Sequence, residues 1–356
     1  MMAVVRASDE LGGKYRKRPT APLYVHLIIT SGCNLKCAHC YGSFGGAQIT
    51  TQPLSKWETI FKELYDMGVL YLDLSGGEVT TYPQFDELIA YLEELNFPFY
   101  ITTNGIISQS KLDNLIRNKS LMGVKLSLDG LSPESYLMIR DPIQKRRVIY
   151  NTVFATLERL KENGIYTEIS TLVHAGNINE LLDYPKILSS YNISKWDLSL
   201  LLPKGRGLEN YKPLIKGIEN GLSKETLNDI LEKANEYNIV ISLGDTKPQS
   251  SEPQVFECGA GLHFMSIQAD LTAYPCPLIP YTRFRDLYGF NISKPEEVRD
   301  VWESYPFKLW LDQKENSCPT CALRDKCGKC VVQADLNGID DPYANIPSCY
   351  IPRTGV

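Results

Sequence analysis

The sequence predicts an α/β fold: an open, partial (β/α)6 barrel followed by a small, cysteine-rich α+β domain. Two observations carry this. Between residues 23 and 201, short β-rich runs alternate with helical patterns. That alternation implies parallel strands joined by helical crossovers. Six such units are too few to close an eight-stranded barrel, so the sheet stays open, with its chemistry at the carboxyl ends of the strands. The second observation is the spread of cysteine: three at Cys33, Cys37 and Cys40, seven beyond residue 250, and none between.

In chain order, residues 1–20 are polar and basic (Arg6, Lys14, Arg16, Lys17, Arg18) and read as a mobile lead-in. A strand at 23–30 delivers the chain to the cysteine loop. Ser55 and Glu58 have the spacing of a capping box, which opens a helix running to about residue 67. A strand at 69–74 ends in Ser75, Gly76, Gly77 and Glu78, and a helix follows over 83–95. The next strand, 98–102, ends in Thr103, Asn104 and Gly105; a helix covers 109–117 and a strand 124–128. Ser132 then Pro133 reads as an N-cap with proline at the first helical position. Strands at 167–173 and 196–201 flank a helix at 179–190. A Pro- and Ser-rich stretch at 245–253 marks the boundary, giving a barrel over 21–244, a linker over 245–255 and a second domain over 256–356. Within that domain, segments around Cys258 and Cys276 flank a small hairpin.

The chain has 356 residues and 43% hydrophobic content, enough for a sizeable core. Thirty-seven basic against 42 acidic residues give a net charge of −5, which argues against sequence-independent nucleic-acid binding. No signal peptide and no apolar run of membrane-spanning length is present, so the expected location is cytoplasmic, with no membrane partner. Ten cysteines there favour metal ligation over disulfides.

Thiolates at C-x3-C-x2-C spacing can hold three irons of a [4Fe–4S] cluster and leave the fourth without a protein ligand. A zinc site with His39 or a distant residue as fourth ligand stands as an alternative, as do three unlinked buried thiols. The spacing resembles the radical S-adenosylmethionine (SAM) enzymes, where the amine and carboxylate of SAM chelate the open iron. The downstream group Cys318-x2-Cys321-x5-Cys327-x2-Cys330, with Cys349 beyond it, resembles the SPASM extension, which binds auxiliary iron–sulfur clusters. The partial (β/α)6 barrel is also the fold that the resemblance implies.

Further site residues follow from the same resemblance. Gly76, Gly77 and Glu78 resemble the family's G-G-E motif, whose backbone meets the SAM amine, with Glu78 orienting that group. Taken alone, two glycines after a strand are an ordinary turn. In the strand at 124–128, a two-residue period puts Lys125, Ser127 and Asp129 on one face, lining the interior, and the apolar residues under the helices. This strand end resembles an S-x-D-G element that touches SAM. Arg140 resembles an arginine that pairs with the SAM carboxylate, although Asp141 stands where relatives commonly have glycine. Tyr41 resembles an aromatic beside the adenine, and Asn104 is either a turn residue or a ligand contact. Residues 203–207 resemble a family loop but are also an ordinary turn sequence.

The resemblance implies three [4Fe–4S] clusters, one binding SAM and two auxiliary. Cys258, Cys276 and Cys330 would hold the first auxiliary cluster; Cys318, Cys321, Cys327 and Cys349 would hold the second. With three cysteines, the first has a fourth iron that is open or bound by another ligand or the substrate. Pro277 stands where sulfatase maturases carry an aspartate base, which disfavours that activity, and some twenty residues before the first strand leave no room for a winged-helix leader-binding domain. The expected reaction is reductive cleavage of SAM, with an external one-electron donor such as flavodoxin or ferredoxin, and hydrogen abstraction from a substrate. The expected substrate is a ribosomal peptide or protein, modified or cross-linked. The alternative is a small-molecule dehydrogenase or decarboxylase acting on a tetrapyrrole side chain or an antibiotic sugar, and a non-catalytic metal-binding scaffold is a third class.

Overall fold

The structure, a computed structural model, describes residues 18–141, 146–218, 221–243, 259–316, 330–336, 338 and 340. Its strands are β1 (Tyr24–Ile28), β2 (Tyr71–Ser75), β3 (Phe99–Thr103), β4 (Leu121–Ser127), β5 (Thr167–Leu172), β6 (Lys195–Ser199), β7 (Val240–Leu243), β8 (Phe264–Ile267), β9 (Thr272–Tyr274) and β10 (Phe290–Asn291). They form one open sheet in the order β10-β9-β8-β1-β2-β3-β4-β5-β6-β7. Numbering only helices of six residues or more, α1 is Leu54–Asp66, α2 Phe85–Glu94, α3 Gln109–Arg117, α4 Pro133–Arg140, α5 Arg147–Glu162, α6 Tyr184–Ser190, α7 Lys224–Glu236, α8 Tyr305–Asn316 and α9 Val331–Leu336.

The six expected strands are present and parallel, but the sheet extends at both edges. At the far edge α7 leads to β7, which pairs parallel with β6. Ile239, Val240, Ile241 and Leu243 form a β-rich run there, beyond the six strands that the alternation was read to contain. At the near edge β8 pairs parallel with β1, and β9 then turns back antiparallel. The expected hairpin is thus present, but it extends the barrel sheet. The capping box at Ser55 does not form. Pro53, with ψ at 149°, is already extended and serves as the cap, so Ser55 falls inside the first turn. Ser132 does cap α4, with Pro133 following it. The helix expected at 179–190 splits into a 3-10 turn and α6, where Pro185 stands in the first turn.

The outer faces of the strands make the core. Val25, Leu27, Leu72, Leu74, Val124, Leu126 and Trp196 pack with Trp57, Phe61, Leu88, Leu115 and Val153 from the helices. Each fully buried side chain of this kind contributes about 1.5–3 kcal/mol. The inner face is polar, as the alternation in β4 predicts. His26 Nδ1 hydrogen-bonds Asp73 Oδ2 at 2.8 Å, Lys125 pairs with Asp197, and Lys195 pairs with Glu168 at 2.9 Å. Toward the strand starts, Phe264, Tyr24, Tyr71, Tyr100 and Tyr166 form a continuous run of ring contacts at 5.0–6.5 Å. A second, small core gathers Ala260, Tyr274, Ile279, Phe284, Tyr288, Trp310, Val331 and Ala334.

Candidate active site at the strand ends

The loop after β1 carries Cys33, Cys37 and Cys40, and neighbouring strand ends hold it in place. At the end of β2, Gly77 N donates to Thr30 O and Glu78 N to Gly32 O, both at 2.8 Å. A Cβ at Gly76 would lie 2.6 Å from Thr30 O, and one at Gly77 would lie 2.3 Å from Gly32 O. Such approaches exclude any side chain, so these glycines are required by contact with the segment entering Cys33.

Glu78 is 1% exposed. Its Oε1 accepts from Thr80 N (3.2 Å), Thr80 Oγ1 (2.7 Å) and Thr103 Oγ1 (2.9 Å), and Oε2 accepts from Asn104 N at 2.7 Å. The carboxylate therefore ties β2 to β3, and Oε2 keeps a free acceptor position. Burial pushes its pKa up, against the pull of these donors. Asn104 is both a turn residue and a neighbour of the cysteines. Its Oδ1 accepts from Ile106 N at 2.9 Å, and its Nδ2 donates to Asn34 Oδ1 at 2.8 Å and lies 3.9 Å from Cys33 Sγ.

On the other side, Asp129 and Arg140 pair with each other, Arg140 Nε donating to Asp129 Oδ2 at 2.5 Å. Leu172 N donates to Asp129 Oδ1 at 2.7 Å, while an Arg140 terminal nitrogen lies 3.9 Å from Cys37 Sγ. Burial alone would raise the Asp129 pKa, but the Arg140 guanidinium brings it below the usual carboxylate value. Ser127 lies half-buried at the end of β4. Tyr41 joins an aromatic cluster, edge-on to Tyr281 at 5.0 Å and to Phe44 at 6.1 Å. Tyr281 follows Cys276 closely, so the cysteine loop touches the C-terminal segment there. Cys276 is half-buried and Cys330 exposed, while Cys258, Cys318, Cys321, Cys327 and Cys349 lie outside the described residues.

Two further residues belong to the site: one in the 203–207 segment, which the sequence leaves open between a family loop and a turn, and one that the sequence reading misses. Arg206 Nε donates to Cys37 O at 2.8 Å, one terminal nitrogen to Phe44 O at 2.9 Å, and its backbone N to Cys40 O at 3.1 Å. Gly205, with φ at 51°, allows this: a Cβ there would sit 2.4 Å from Tyr41 O. The 203–207 segment is therefore a clamp on the cysteine loop, and its Gly-Arg-Gly after the sixth strand was the available signal. The second is Tyr136, fully buried one turn before Arg140, whose hydroxyl has no partner among the described residues.

Burial pushes the Cys33 thiol up to about 12 and the Cys37 thiol up to about 11. Such thiols stay protonated until a metal deprotonates them. Burial lowers His39 to about 3, so its imidazole is neutral. Among the described residues no three Cys, His, Asp or Glu side chains lie close enough to hold a single metal ion. Soft donors alone, flanked by an amide and a guanidinium directed at two of the sulfurs, fit an iron–sulfur cluster.

The Radical SAM superfamily model matches residues 27–184. Over that segment, 158 of the 356 residues, the chain is similar to the radical SAM superfamily. It is an enzyme that uses SAM and a [4Fe–4S] cluster, and its relatives include peptide maturases of the SPASM group. It is 22% identical over 318 residues to the antilisterial bacteriocin subtilosin biosynthesis protein AlbA of Bacillus subtilis, covering 88% of this chain and 68% of that one. It is 23% identical over 340 residues to the AdoMet-dependent heme synthase of Methanosarcina barkeri, covering 88% and 92%. In fold it is similar to Streptococcus suis SuiB bound to SAM, with a TM-score of 0.72 at 20% identity, covering 93% and 77%. SuiB bound to its precursor peptide SuiA gives 0.70. No described helix is long and apolar enough to cross a membrane.

Proposed function

We propose that this enzyme modifies or cross-links residues of a ribosomal peptide or protein, with Cys33, Cys37 and Cys40 holding the SAM-binding cluster. The observation that carries the site assignment is the cysteine loop itself: three thiols clamped by Gly77, Glu78 and Arg206, with Asn104 and Arg140 beside two sulfurs. When bound, cluster and SAM supply a 5′-deoxyadenosyl radical that abstracts hydrogen from a substrate C–H. The chain's own residues do the rest. Glu78 Oε2, with its free acceptor position, receives the SAM ammonium beside Gly76 and Gly77. Ser127 and the Asp129–Arg140 pair border the ribose and carboxylate, and Tyr41 packs beside the adenine. The polar inner face of the barrel receives the substrate.

The peptide reading draws support from the likeness to AlbA and from a fold shared with SuiB, which has been crystallised with a precursor peptide. In this reading residues 256–356 form the auxiliary-cluster domain. Cys258, Cys276 and Cys330 hold one [4Fe–4S] cluster, and Cys318, Cys321, Cys327 and Cys349 hold a second. The contact of Tyr41 with Tyr281 places the segment after Cys276 beside the cysteine loop, as transfer of the substrate electron requires. A small-molecule substrate is the second reading, favoured by the likeness to the heme synthase.

The test is anaerobic incubation of the reconstituted, reduced protein with SAM and a small peptide encoded beside its gene, followed by mass spectrometry. Loss of two hydrogens per event, with 5′-deoxyadenosine in proportion, is the expected outcome. An unchanged peptide while 5′-deoxyadenosine forms slowly without it would reject the peptide substrate and favour the small molecule.

A further inference from the structure

Tyr136 projects from α4 one helical turn before Arg140, so both side chains leave the same face of the helix. Its backbone lies against Gly130, where a Cβ would stand 2.3 Å from Tyr136 N. Its ring meets Tyr150 at 5.8 Å. The side chain is fully buried, and its hydroxyl has no hydrogen-bond partner among the described residues. A buried hydroxyl left unmatched costs roughly a factor of 10 to 100 in the folding equilibrium.

What surrounds that hydroxyl gives the cost a purpose. The side chain shares its face of α4 with Arg140, which pairs with Asp129 and lies beside Cys37 in the strand-end site. Burial pushes the Tyr136 pKa up, so the hydroxyl keeps its proton and is a donor. The neighbouring Arg140 already spans from Asp129 to within 3.9 Å of Cys37 Sγ. The phenol therefore leaves α4 on the Arg140 side, with a proton and no partner among the described residues.

Resting on the assignment of the SAM-binding cluster to Cys33, Cys37 and Cys40, we propose that the Tyr136 hydroxyl is a further binding contact of the loaded site, donating a hydrogen bond to an anionic acceptor there. Two acceptors share this chemistry: a cluster sulfur next to Cys37, and the SAM carboxylate next to Arg140.

Tyr136→Phe deletes only the oxygen. In the full chain without cluster or SAM, the unfolding midpoint is expected to stay level or rise, because an unmatched polar group has been removed. In the reconstituted protein one of two quantities moves. If the acceptor is the carboxylate, calorimetry shows SAM binding weakened about 10-fold with the cluster spectrum unchanged. If the acceptor is a cluster sulfur, the midpoint potential measured without SAM falls, since a donor to sulfur favours the more negative, reduced cluster. Tyr150→Phe is the control: its hydroxyl donates to Leu131 O at 2.5 Å, so its loss should lower stability and leave both binding readouts unchanged. Unchanged SAM affinity together with an unchanged potential in Tyr136→Phe would overturn the proposal. So would a loss of stability in the cluster-free chain equal to that of Tyr150→Phe. A wild-type chain that takes up no cluster fails differently, since it removes the assignment before Tyr136 is tested.

Discussion

Removing the Asp129 carboxylate tests the strand-end network most directly. Asp129→Ala leaves the Arg140 guanidinium, 8% exposed, without its ion partner and strips Leu172 N of its acceptor. Solvent screens neither group at that depth, and breaking one side of a buried pair costs about 3–5 kcal/mol. At about 1.3 °C per kcal/mol for a chain of 356 residues, the expected fall in unfolding temperature is about 4–7 °C. Scanning calorimetry of the cluster-free and reconstituted forms reads it. Replacing both partners, Asp129→Leu with Arg140→Met, should restore much of that loss, because an apolar pair of similar volume avoids the desolvation of two ions. The pH dependence has a fixed sign. Asp129 titrates lower in the folded chain than unfolded, so its stabilisation is complete above about pH 4. It is lost as pH falls through the lower, folded value, and the variant's stability should change less over that window. A loss below about 1 kcal/mol, the range of an exposed pair, would refute the argument, as would a double variant no better than the single one.

Arg206→Ala removes two charge-assisted bonds to the cysteine loop, so iron content after reconstitution should fall while far-UV circular dichroism stays near wild type. Gly77→Ala forces a methyl onto Gly32 O and should prevent cluster assembly, measured as loss of cluster absorbance; full incorporation would mean that the loop tolerates displacement. Trp57→Ala should cost about 3–5 kcal/mol by denaturant titration, because the indole is fully buried in the main core. Leu70→Ala, at a side chain 60% exposed, should stay within about 0.5 kcal/mol.

What the sequence conveyed depended on range. The helix at 109–117 coincides with α3, and the Ser132 cap forms, because both rest on periodicity and on bonds within one turn. The alternation in β4 sorted Val124 and Leu126 outward and Lys125 inward, since two-residue periodicity is fixed by the backbone. The failures are mostly contacts between segments remote in sequence. The pairing of β8 with β1 and the reach of Arg206 to Cys37 depend on tertiary placement that no local pattern encodes. At Ser55 a local motif lost to a neighbouring proline whose extended backbone was already in the capping position. Similarly, the Asp129–Arg140 pair was legible as two residues but not as partners, because α4 must first fold back over the strand end.

The placement of β8 beside β1 also sets an order of events during synthesis. The strand leading to the cysteine loop gains its β2 neighbour early, yet its other edge is covered only once residues 264–267 have been made. At about 5–20 residues per second, that interval lasts on the order of ten to fifty seconds. During that time the nascent chain shows a bare β edge next to the cysteine loop, a surface open to strand-to-strand aggregation. A chain terminated before residue 264 would keep that edge permanently, and premature truncation should therefore yield insoluble material even though every residue of the cysteine loop is present.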